Sequence, residues 1–351
     1  MSFVKKELLF KHKVIENIFE YQDLESEVSE IYTYFENSFL DLFENYSNLF
    51  NINDCCFYLK NDCTCNAFAR KRNGYNIIGI TNGYPILMTK KLNKENFKNI
   101  VLVGISNEKH LSEAYCDLEE NIDFDFSKFI LDCSIRYTFH HEFQHILQLN
   151  CAYTAGEDCL LHENLELKEF DIKRHAWEYY ADRMASFEVL KYTFSVYRKL
   201  KAKSDDKLKC LLFVGCASIF ITRGLFYFGL MNQIEPEYQI KKIDFYTNKN
   251  DHPHPIIRSF NLIEYYFSCI IESFPRLKLD FEELFINVVG ISKLYFDTLV
   301  PKRDIMSYLW NDLRTHLDDI NQYNNDLYDY SIHDETTKNL LISRGIDFER
   351  G

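Results

Sequence analysis

The chain predicts an α+β fold, mostly helical with a small mixed sheet, and three observations lead there. Apolar residues recur at helical spacing over long stretches, beginning with Ile31, Tyr34, Phe35, Phe39, Leu42, Phe43 and Tyr46. Two β-rich stretches, Cys56–Tyr58 and Tyr75–Ile80, lie on either side of a Lys71-Arg72-Asn73-Gly74 segment of hairpin type. Gly and Pro are scarce, 11 and 6 of 351 residues, which leaves few of the breaks a turn-rich architecture needs.

Taken in order, residues 1–54 form an N-terminal helical region whose periodic apolar face is core. Residues 55–90 carry the strands, and Ile100 to Ser106 reads as a further buried strand. A helix begins near Ser134. The Glu-rich stretch 157–171 connects it to a second helix over 174–188, and helical stretches follow at 187–200 and 208–231. Asp251-His252-Pro253-His254-Pro255 is non-helical, because two prolines flank His254. The chain is helical again from Ile256 to Val300 with a break near Pro275, and the polar tail after about Asn321 is expected to be loosely held. The simplest division is an N-terminal region 1–54, a catalytic domain 55–260 and a C-terminal helical region 261–351.

Composition narrows the function classes. A net charge of −13 without a basic stripe argues against nucleic acid as partner. The acidic runs at 113–125 and 157–171 read as solvated surface. The apolar run over 210–231 is interrupted by Arg223, and the clean part before Thr222 is about a dozen residues, the length of a core helix, so a membrane span is not expected. The N-terminus lacks an uninterrupted apolar segment of signal-peptide type, so the expectation is a cytoplasmic protein whose eleven cysteines are reduced. Cys55, Cys56, Cys63 and Cys65 raise the question of a second metal, but their spacing matches no common zinc knuckle, and four small strand or turn residues is the plainer reading.

The chemistry concentrates at His141-Glu142-Phe143-Gln144-His145. On a helix, i and i+4 share a face, so two imidazoles can grip one Zn²⁺ while the Glu between them serves as general base toward a water. An amphipathic helix with two structural histidines is the bland rival. A catalytic zinc takes three protein ligands. Gln148 and Cys151 stand where a metzincin would have Gly and His, so the third ligand must come from elsewhere. Glu178 and Asp182 are four apart on the second helix, with Ala181 and Ala185 permitting close approach. Glu178 is the expected third ligand, with Asp182 accepting from a ligand imidazole. His162, Glu169 and His175 are lower-ranked competitors. His140, turned about 100° from His141, is expected at the surface or behind the ligands.

Four segments in order resemble the gluzincin zinc metallopeptidases related to the HtpX heat-shock peptidases. They are Asn66-Ala67-Phe68-Ala69 with the following strand Asn76–Gly83, then His141-Glu142-x-x-His145, then Glu178-x-x-x-Asp182, and last His252-Pro253 with Arg258 six residues after the histidine. Within that group the chain looks most like the soluble, cytoplasmic Lit-type phage-exclusion peptidases. The resemblance covers roughly residues 56–260. It implies a zincin-like fold in which Asn66, Ala67, Phe68 and Ala69 form an edge strand that pairs with an extended peptide substrate. Glu142 is the expected general base, and the oxyanion needs a further donor, with His252 the first candidate, Arg258 next and His254 third; alternatively Arg258 pairs with Asp182 or Glu178 and braces the site. A second histidine, His254, stands where the family has proline, which leaves open which imidazole faces the metal.

The expected function is therefore zinc-dependent hydrolysis of peptide bonds with one catalytic Zn²⁺, in a phage-exclusion effector acting on a cytosolic protein such as a translation factor. Two rivals stand beside it. One is a house-keeping HtpX-like peptidase, attached to a membrane through 210–231. The other is a zincin-fold binding protein without turnover.

Overall fold

The computed structural model describes residues 4–93, 108–120, 124–152, 159–162, 169–234, 239–241, 243–250, 252–301 and 303–343. Helices hold 68 % of the described residues beside one small mixed four-stranded sheet, an α+β architecture. The strand expected over 100–106 lies outside the described residues.

The N-terminal region gives a short helix α1 (Lys6–Lys11) and a long one, α2 (Ser26–Leu49). Phe35, Phe39, Leu42 and Phe43 form the buried face of α2, as their spacing requires. The strands are β1 (Cys55–Lys60), β2 (Ala67–Arg72), β3 (Tyr75–Thr81) and β4 (Cys159–His162), in the spatial order β1-β3-β2-β4. β1 and β3 run parallel, and β2 is antiparallel to both β3 and β4. The β2–β3 turn places Asn73 at φ 51° and Gly74 at φ 83°, the left-handed pair a two-residue hairpin needs.

The sheet has two buried faces. Cys55, Phe57, Leu59, Ala67, Ala69, Ile78 and Ile80 belong to the main core, while Cys56, Tyr58, Phe68 and Ile77 pack with Leu9, Val14 and Ile15 on the other side. This alternation separates Cys55 from Cys56, so the cysteine cluster does not converge. Among the described residues it forms no metal-type group.

After helix α3 (Gly83–Lys91) and helix α4 (Lys109–Glu119) come the two helices that organise the molecule. They are α5 (Phe126–Ala152), which starts eight residues earlier than expected, and α6 (Ile172–Lys199), which runs unbroken through the stretch expected to be two helices. Side-chain bonds join Gln148 to Trp177 near one end of the pair and Asp132 to Tyr192 near the other, so α5 and α6 run antiparallel. β4 was unforeseen. It arises inside the acidic connection and packs Leu161 against Leu149 of α5 and Trp177 of α6.

Helix α7 (Asp205–Tyr227) crosses the core. Among the described residues it alone is long and apolar enough to cross a membrane, and 94 % of its most apolar window is buried inside the fold. It packs against α4, α5 and α6, and against α8 (Pro255–Ser273) and α9 (Phe281–Leu299). The break near Pro275 is a single 3₁₀ turn. Among the described residues, up to Ser343, the tail is not loose. Helix α10 (Ile305–His333) buries Ile320, Tyr323 and Leu327 against its neighbours, and α11 (Glu335–Ser343) docks on α5.

Candidate metal centre

The antiparallel crossing of α5 and α6 brings the predicted ligands face to face. His141 and His145 lie one turn apart on α5, with Nε2 atoms 3.0 Å from each other. Glu178 of α6 closes the triangle: its Oε2 is 3.2 Å from His141 Nε2 and its Oε1 is 3.2 Å from His145 Nε2. These three form a buried group that could hold a metal ion. The competitors stand elsewhere. His175 bonds to Tyr323 and Asn250, Glu169 is exposed, and His162 occupies β4 opposite Phe68.

Whether the triangle suits a cation depends on where the ring protons sit, and the neighbours decide that. Gln148 donates its amide Nε2 to the Trp177 carbonyl at 3.0 Å, which turns its Oε1 toward His145 Nδ1 at 2.7 Å. An amide oxygen only accepts, so His145 Nδ1 carries the proton and its Nε2 keeps a lone pair. His141 Nδ1 faces Asp182 Oδ1 at 3.0 Å, an ionised carboxylate that also only accepts. Arg258 Nη2, which can only donate, lies 3.5 Å from His141 Nε2. Both Nε2 atoms thus present lone pairs to each other and to a carboxylate. Three such donors repel unless a cation lies among them. Their separations of 3.0, 3.2 and 3.2 Å approach the edge of ~3.3 Å that a tetrahedral ion with ligands at about 2.0–2.1 Å would set. The residues fit the ion.

Asp182 is held by donors from two other helices, α5 and α8. It accepts from Tyr137 Oη at 2.5 Å, from Arg258 Nε at 2.6 Å and from Arg258 Nη2 at 2.7 Å, besides facing His141. Burial by itself would raise its carboxyl. The Arg258 charge and the hydrogen bonds from Arg258 and His141 outweigh that, and hold it far below the usual carboxylate range. Glu178 is likewise buried, which pushes its carboxyl up. Its cationic neighbours, His252 and Arg258 foremost, pull it well below its ordinary value.

Arg258 is therefore a brace. Its guanidinium grips Asp182 through two hydrogen bonds and reaches Glu178 Oε2 at 3.1 Å, which is the bracing alternative to the oxyanion role. The choice between the two histidines also resolves. His252 Nε2 is 3.2 Å from Glu178 Oε1, beside the metal-type group. His254 caps α8, accepting the Ile256 N–H on Nδ1 at 3.3 Å, with its ring among Tyr227, Phe245 and Tyr246. Glu142 is 1 % exposed, and no member of the set from His141 to Arg258 named here exceeds 4 %. His140, expected at the surface or behind the ligands, is buried against the Tyr46 ring.

The Asn66–Ala69 stretch departs from expectation. β2 is an interior strand: β4 pairs with Phe68 to Lys71 on the side opposite β3, so Phe68 and Ala69 have no free ladder edge. The Phe68 ring lies on the far face from α5, against Tyr58 and over Gly79, where a Cβ would stand 2.3 Å from the ring. Asn66 precedes β2 and bonds to Thr81.

Sequence reasoning missed two members of the site. Tyr137 had a signal, since it lies four residues before His141 on the same helix face. Gln148 served only to exclude a ligand pattern, although its i+3 spacing from His145 already placed it in reach. No family model matches the chain, and neither a curated protein nor a solved structure matches it.

Proposed function

We propose that the chain is a zinc-dependent endopeptidase of gluzincin type, with His141, His145 and Glu178 as ligands. The observation that carries the reading is the triangle of lone-pair donors with its ring protons directed outward to Asp182 and Gln148. A zinc ion there would polarise a scissile carbonyl and lower the pKa of an attacking water. Glu142 takes the proton from that water and returns it to the leaving amine. His252 donates to the developing oxyanion from its place beside Glu178. Asp182, Arg258, Tyr137 and Gln148 keep the ligands oriented.

The narrower proposal, a phage-exclusion effector acting on a cytosolic protein, rests on the motif resemblance across 56–260. The house-keeping rival attached to a membrane through 210–231 gains nothing from α7, whose apolar faces are already covered by protein. One observation favours the rival without turnover: the site residues are buried throughout, so a peptide reaches them only after the fold opens.

Labelling of new protein N-termini in cells expressing the wild type beside Glu142→Gln tests the proposal. New termini confined to the wild type are expected. Identical terminus profiles would contradict it.

A further inference from the structure

His175 is a fully buried imidazole that the metal centre does not use. It lies on α6, nearly one turn before Glu178. Its Nε2 is 3.1 Å from the Asn250 carbonyl, and its Nδ1 meets the Tyr323 hydroxyl of α10. A carbonyl only accepts, so Nε2 carries the proton and Nδ1 accepts from Tyr323. Both ring nitrogens are therefore committed, each to a different part of the chain.

Asn250 stands at φ 61°, two residues before His252. The turn that follows is pinned twice more: the His252 carbonyl accepts from Tyr246 Oη at 3.2 Å, and His254 caps α8. Of these three pins, only the one at Asn250 reaches α6, the helix that also presents Glu178 Oε1 to His252 Nε2. α10 is clasped to α8 by a reciprocal amide pair, Asn261 Nδ2 to Asn324 Oδ1 at 3.0 Å and Asn324 Nδ2 to Asn261 Oδ1 at 2.6 Å. Tyr323 and Asn324 thus tie one turn of α10 to both sides of the His252 turn.

We infer that His175 is a positioning residue: it sets the distance from the His252 turn to α6, and through Tyr323 it makes α10 part of the active-site frame. The inference rests on the proposed role of His252. A buried histidine that merely fills space would be replaceable by Leu without consequence for His252. A hydrogen-bonding strut would not be, and Gln, which can offer its amide N–H to the Asn250 carbonyl, would restore it.

The test compares the full-length wild type, His175→Leu and His175→Gln, all loaded with zinc. Two readouts are taken. One is kcat and KM on a peptide spanning a cleavage site found by terminus labelling. The other is the ring NMR signal of His252, assigned by its loss in His252→Ala. The expected result for His175→Leu is full zinc content, unchanged KM, kcat lower by roughly 10–100-fold and a displaced His252 signal. His175→Gln is expected to recover most of the rate and return the signal. An unmoved His252 signal in His175→Leu would overturn the inference, and so would zinc loss in that variant, which would place His175 with the ligands. If the wild type binds zinc yet cleaves nothing, the peptidase reading falls alone, and the NMR comparison still decides the positioning claim.

Discussion

The two ends of the α5–α6 pair differ in kind. At one end His141, His145, Glu178, Asp182 and Arg258 are buried and bonded to one another across three helices. At the other end, Asp132 accepts from Tyr34, Tyr192 and the largely exposed Lys128 beside an open cavity of about 440 Å³ floored by Phe129 and Tyr192. This opening and the densest chemistry are thus separated along the same helices. His141 stands nine positions after Asp132 on α5, about 13 Å along the helix. Convergence of lone-pair donors marks the candidate site here. The cavity carries a carboxylate satisfied by neutral hydroxyls and a solvated lysine, and the one metal-type group among the described residues lies at the closed end.

Substitution at each end should give the largest contrast. His145→Ala should abolish tight metal binding, while Asp132→Ala should leave one ion per chain by atomic absorption. Equal metal content in the two variants would erase the distinction. The next effect concerns stability. Arg258→Ala leaves the Asp182 carboxylate buried without its main cationic partner and should cost about 3–5 kcal/mol in denaturant unfolding. Lys128→Ala, at a side chain 58 % exposed, should cost about 0–1 kcal/mol.

A smaller effect isolates proton placement. Gln148→Leu removes the acceptor for His145 Nδ1 and should weaken metal binding by roughly 10–100-fold in chelator competition. Gln148→Glu keeps an acceptor there and should bind metal far better than the Leu variant. Matching affinities for Leu and wild type would show that the tautomer is set some other way.

Much of this site was legible because helical periodicity is local. The i, i+4 spacings of His141 with His145 and of Glu178 with Asp182 determine shared faces before any tertiary contact forms. The bracing role of Arg258 was legible only as an alternative, since it depends on α8 approaching α6 across a sequence separation of 76 residues. β4 was hidden for a similar reason: four residues in an acidic connection become a strand only because β2 offers a ladder about ninety residues away. The order of α10 was readable in principle. Ile320, Tyr323 and Leu327 keep helical spacing, but the polar residues between them dominate the composition.

Burial raises the pKa in two regions with opposite outcomes. At the metal centre, partners keep carboxylates charged. In β1, burial pushes the Cys55 and Cys56 thiols up to about 12 and keeps them neutral. An unfolded cysteine titrates near about 8.5, so these thiols contribute their full stability below that pH and lose it as pH rises toward the folded value. Urea midpoints should therefore decline modestly from about pH 8.5 upward, and less so in Cys55→Ala. A decline of the same size in both proteins would assign the effect to other groups.

Anomalous diffraction at the zinc edge, on crystals grown with one equivalent of zinc, tests the central claim most directly. One peak is predicted within about 2.0–2.2 Å of His141 Nε2, His145 Nε2 and a Glu178 oxygen. No peak there, or a peak beside the β1 cysteines instead, would contradict it.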